Sequence, residues 1–160
     1  MEAIGGMNTL ELVLRLGTAV AVGALLGINR DLHRKPAGLR THAIVTLGAA
    51  LATLAVAYVP TGATVDFNAV SRVVQGILTG IGFLGAGVII RDAEGHISGL
   101  TTAATIWVAS AMGVLCGLGY WQLVGLATAM VMLVLIFGGM LEHKVEKLFQ
   151  HRSDDPPPPA

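Results

Sequence analysis

Gly80-Ile81-Gly82-Phe83-Leu84-Gly85 matches G-x-G-x-x-G letter for letter, the pattern that cradles a dinucleotide pyrophosphate between a strand and a helix. The surroundings reject that chemistry. The motif lies inside an apolar run, and Thr105 stands near the position where an acid is needed. Arg72, Gln75 and Thr79 follow one another at helical spacing and share a face. An amide inside hydrocarbon must find a partner or cost several kcal/mol, roughly. Asp92, Glu94 and His96 share one short segment, and Asp31 and His33 another. Magnesium takes one or two carboxylates and keeps its waters, but short polar loops hold the same residues for solubility, and no metal site or cofactor is expected. Cys116 has no basic neighbour in sequence to activate it, so it reads as a small packing residue. No nucleophile, base and acid stand together, and the chain is not expected to be an enzyme.

The elements that hold these residues are membrane spans. Charged residues make up 12% of the 160 residues and apolar ones 54%, whereas soluble domains carry about 25% charge. A polar coat of that size cannot cover a water-facing surface. Five stretches reach the roughly 20 residues that cross a bilayer: about Leu10 to Ile28, Leu39 to Val59, Val70 to Ile90, Leu100 to Leu118 and Trp121 to Leu141. The expected fold class is all-α, a polytopic transmembrane bundle over residues 1–149 with a disordered proline-rich tail at 150–160. Arg30, Arg34, Lys35, Arg40, Arg91, Lys144, Lys147 and Arg152 fall on one side of such a chain. The positive-inside rule then puts the N-terminus out and the C-terminus in. The neutral net charge gives no reason to expect nucleic acid as a partner.

Glycines recur inside the spans. Gly23 and Gly27, Gly76 and Gly80, and Gly113 and Gly117 are spaced as G-x-x-x-G, which lets helix backbones approach closely in lipid. Gly82, Gly85 and Gly87 add to the third span. One reading is tight helix contact. The alternative is a helix broken there, with carbonyls free to bind an ion. No acid lies deep in any span, so a cation path would need those carbonyls. The Arg72–Gln75–Thr79 face is expected to meet a small polar face of span four made of Thr102, Thr105, Ala109, Gly113 and Cys116. Arg15, one turn after Glu11, suits a helical ion pair, and Asp66 is within reach of Arg72.

Four blocks in order resemble the MgtC/SapB family of bacterial inner-membrane proteins. They are Gly23-Ala24-Leu25-Leu26-Gly27-Ile28-Asn29-Arg30, Ala37-Gly38-Leu39-Arg40-Thr41-His42, Gly80 to Ile89, and Gly99-Leu100-Thr101-Thr102-Ala103-Ala104 with Trp107. The resemblance runs from about Leu12 to Leu141. It implies a multi-pass inner-membrane protein of the short form, without the soluble C-terminal domain of some members. It also implies links to magnesium limitation, survival in host cells and restraint of the F-type ATP synthase. Membrane lipids, other integral membrane proteins and further copies of the chain are the implied partners. The characteristic positions carry over to Arg30, Gly38, Arg40, Thr41, His42, Arg72, Gln75, Gly80, Gly82, Gly85, Gly87, Gly99, Thr101, Thr102, Trp107 and Cys116. Asn29 departs from the family's usual glutamate, which removes an ion-pair partner for Arg30 or Arg40. The expected function is regulation by helix contact, with a small ion or solute transporter built on the third span as the alternative.

Overall fold

The computed structural model describes residues 7–58, 64–91, 93 and 95–153, with side-chain placement for these except 91 and 140–153. Five helices follow in order: α1 (Thr9–Leu32), α2 (Leu39–Ala57), α3 (Phe67–Val88), α4 (Leu100–Leu118) and α5 (Trp121–Ser153). All are long and apolar enough to span a bilayer, α5 through Trp121–Gly139. A two-residue antiparallel pairing, β1 (Ile90–Arg91) on β2 (Ile97–Ser98), joins α3 to α4; the sequence suggested only a loop. The chain divides into two units, residues 1–128 and 129–160. The first holds α1 to α4 and the start of α5. The second holds the rest of α5, which remains helical through Ser153, past the expected start of the tail. The prolines beyond lie outside the described residues.

The helix ends follow from local chemistry. Asn8 caps α1, its side-chain oxygen accepting the Glu11 N–H at 2.8 Å, and Asp66 caps α3 by accepting from Asn68 at 2.9 Å. Asp66 is thus a helix cap rather than the loop partner expected for Arg72. Asp31, reaching forward from the last turn of α1, accepts the Leu39 N–H at 2.9 Å and so caps α2. Between α4 and α5 the chain turns at Gly119, which has φ 74°. Its N–H donates to Cys116 O and that of Tyr120 to Leu115 O, both at 3.0 Å, closing α4 as a Schellman motif.

Helix α2 has α1 against one side and α4 against another, and α4 is the most buried of the described helices. A Cβ on Gly23 would come within 2.8 Å of Ala43 Cα, and one on Gly27 within 2.8 Å of the Gly38 carbonyl carbon. A Cβ on Gly113 would come within 2.8 Å of Ala49 Cβ, and one on Gly117 within 2.8 Å of Ala50 O. Two of the three G-x-x-x-G pairs therefore do what their spacing predicts. Ala19, Leu26, Ala50, Ile106, Ala109 and Met112 fill the seam between them. At one end Arg15 pairs with Glu11, as expected, and also donates from Nη1 to Gly117 O at 2.7 Å. That contact ties the start of α1 to the last turn of α4, where a cation suits the helix dipole.

The third pair behaves otherwise. Helix α3 is unbroken from Phe67 to Val88, so the interrupted-helix reading does not hold. Nothing lies within 4 Å of a Cβ placed on Gly76, Gly80, Gly82 or Gly87. Of the glycines in this helix only Gly85 is buried, and a Cβ placed on it would lie 3.6 Å from Ala103 Cβ of α4. Among the described residues, these four glycines therefore serve no close packing. Nor do the two polar faces meet. Arg72, Gln75 and Thr79 are exposed, while Thr102, Thr105, Ala109, Gly113 and Cys116 are buried on the side of α4 that faces α1 and α2. Gly113 sets that outcome, because its lack of a side chain lets α2 rather than α3 occupy the groove.

Gly113→Leu should therefore prevent a stable bundle from forming in detergent, since even modest overpacking costs about 1–3 kcal/mol and here backbone blocks the space. Gly82→Leu should leave folding of the single chain unchanged. Size-exclusion profiles and thermal midpoints of the two purified variants provide the comparison.

Candidate functional site

Arg30, Thr102 and His42, taken from α1, α4 and α2, gather at the end of the bundle opposite Arg15. Arg30 is 7 residues after Gly23 on the same helical face, so the seam that buries the glycines buries it too, to 5% exposure. Its Nη2 donates to Thr102 Oγ1. Its Nε is buried with no hydrogen-bond partner. Among the described residues no carboxylate bonds it, and the preceding Asn29, itself buried, is uncharged. His42 has no exposed surface. Its Nδ1 lies 3.1 Å from Gly38 O, which fixes that nitrogen as the donor and leaves Nε2, also buried and unpartnered, as an acceptor.

The neighbouring hydroxyls are spent on their own helices. Thr46 donates to His42 O or Ala43 O, each at 3.0 Å, and Thr105 to Thr101 O or Thr102 O, each at 2.9 Å. The buried threonines thus satisfy themselves and permit close approach, while Arg30 and His42 retain unused hydrogen-bonding capacity. Asp31, considered in the sequence as a metal-binding residue with His33, instead holds the N-terminus of α2. His33 Nδ1 lies 2.7 Å from Asn29 O. Asp92 and Glu94 lie outside the described residues.

The expected site residues thus sort into groups. Arg30, His42 and Thr102 come together; Arg40, Thr41, Thr101 and Trp107 are exposed around them. Arg72, Gln75, Gly80, Gly82 and Gly87 lie on the uncovered face of α3, and Gly85 on its covered one. Cys116 is a buried free thiol. Gly99 has φ 89°, a conformation that disfavours side chains, and it abuts the Val88 carbonyl. Its place in the motif is to turn the hairpin into α4.

The profile of the MgtC family matches residues 16–144. The chain is 44% identical to Protein SrpB of Synechococcus elongatus over 138 residues, 79% of this chain and 74% of that protein. It is 40% identical to Protein MgtC of Salmonella typhimurium over 120 residues, 75% of this chain and 49% of that protein. With Protein SapB of Bacillus subtilis the identity is 33% over 145 residues, 86% of this chain and 60% of that protein. The chain therefore spans about half the length of Salmonella MgtC and more of the other two. No solved structure matches it.

Removing the hydroxyl in Thr102→Val should lower stability by about 1.5–3 kcal/mol, the range for hydrogen bonds to charged groups, while Thr102→Ser should retain most of it. Thermal unfolding in detergent measures both. Five apolar helices, and a profile match over most of the length, make this chain a multi-pass membrane protein of the MgtC family.

Proposed function

We propose that this protein is a non-enzymatic regulator of the bacterial inner membrane that acts by helix contact with other integral membrane proteins and with its own copies. One observation carries the reading. Among the described residues of the first unit, nothing covers a face of α3 formed by Arg72, Gln75, Gly76, Thr79, Gly80, Phe83 and Gly87. Lipid tails cannot hydrogen-bond an amide or hydroxyl, and small residues at this spacing suit a second helix. Family membership supports the setting: adaptation to magnesium limitation and restraint of membrane energy conversion, with F-type ATP synthase among the partners. The loop charges support an N-terminus outside the cell and a C-terminus in the cytoplasm.

Site-directed crosslinking tests this. In a Cys116→Ala background, Gly80→Cys should give crosslinked species in native membranes. Adding Gln75→Leu should reduce them about fivefold or more, the loss of one interhelical hydrogen bond worth about 1 kcal/mol in lipid. Absence of crosslinks from cysteines at Gly76, Gly80 and Gly87 alike would remove the proposal. Ion flux into proteoliposomes that disappears with Gln75→Leu would replace it with transport.

A further inference from the structure

The Arg30–His42–Thr102 cluster has a chemistry the α3 face does not share. We propose that it is a binding site for a phosphomonoester group at the membrane interface. Depth is the first argument. Arg30 is in the last turn of α1, and His42 and Thr102 are in the first turns of α2 and α4. A helix the length of α1 measures about 36 Å against a hydrocarbon core about 30 Å thick. Its last turn therefore reaches the level of lipid phosphates.

The second argument is the pattern of unused hydrogen-bonding groups. Arg30 is a permanent cation, 5% exposed, bonded among the described residues to one neutral hydroxyl, with an N–H at Nε unused. A buried charge without a counter-charge is unfavourable, and guanidinium suits phosphate oxygens. His42 Nδ1 is committed to Gly38 O, so neutral His42 presents a lone pair at Nε2 and needs a donor. A phosphomonoester monoanion has acceptor oxygens for Arg30 Nε–H and an O–H for His42 Nε2. A phosphodiester has the acceptors but no O–H.

Among the described residues, the acid next to Arg30 in sequence already has a partner. Asp31 is engaged by the Leu39 N–H. Arg40 and Thr41 line a concavity of about 400 Å³ over the start of α2, together with Asp31, Gly38 and Leu39. Arg30, His42 and Thr102 do not line it; it opens at the same helix ends, where Arg40 and Thr41 are exposed.

The test separates the lipid from the free ion. Purified protein is placed in phosphatidylcholine nanodiscs doped with phosphatidic acid or with phosphatidylglycerol, and lipid retention is read by native mass spectrometry. Inorganic phosphate is titrated separately, with the thermal midpoint as readout. Phosphatidic acid should be retained at least about tenfold more strongly than phosphatidylglycerol. Arg30→Gln and His42→Phe should abolish that preference, and Thr102→Ser should keep it. A midpoint rise with inorganic phosphate that Arg30→Gln removes would support the site with free phosphate as its source. Equal retention of the two lipids together with no response to phosphate would overturn the proposal. So would a phosphatidic acid preference that survives Arg30→Gln. If that variant fails to fold, the wild-type comparison of the two lipids decides.

Discussion

Backbone contact along α2 is the constraint from which the rest of the fold follows. In lipid, apolar side chains gain little by meeting each other rather than acyl chains, so helices are held by dispersion at short range and by polar contacts. The glycines of α1 and α4 bring both helices against α2 closely enough that no side chain fits between them. Among the described residues, most buried polar groups lie on the helices that make that contact. The threonines that bond their own carbonyls, the buried Arg30 and the wholly buried His42 all occupy the seam. Helix α3, packed mainly on α4 by its other side, retains an exterior face rich in glycine and polar groups.

Much of this was legible in the residues. The number of spans followed from the length of the apolar stretches, and the turn after α4 from Gly117 to Tyr120. The Glu11–Arg15 pair followed from its spacing. The α1 and α4 glycine pairs were readable because each lies four residues apart within a long apolar run. The Gly76–Gly80 pair carries the same signal, yet among the described residues nothing lies within 4 Å of a Cβ placed on either. Spacing marks a face fit for close approach without naming its partner. The pairing of polar faces failed for the same reason: α4 has one small-residue face, and two helices could have claimed it.

Arg30 was named from a family block, yet its burial had a physical signal in the sequence. It continues the Gly23–Gly27 row by one further turn, and the residue before it is Asn29, which carries no charge. What sequence could not supply was Thr102, which depends on how α1 and α4 cross. Asp31 shows the converse. A carboxylate beside a histidine in a short loop suggests a metal, but the backbone N–H at the start of α2 has the prior claim on it.

The Arg30–Thr102 contact joins positions 72 residues apart, and Arg15 reaches Gly117 across 102. Translation adds about 5–20 residues each second, so α1 and α2 are synthesised seconds before the helix that completes their interface. During that interval both arginines of α1 lack their α4 partners. The half-built seam is then open to lipid headgroups, insertion machinery or another nascent chain. Late arrival of α4 makes its insertion the step that commits the earlier helices to their final neighbours.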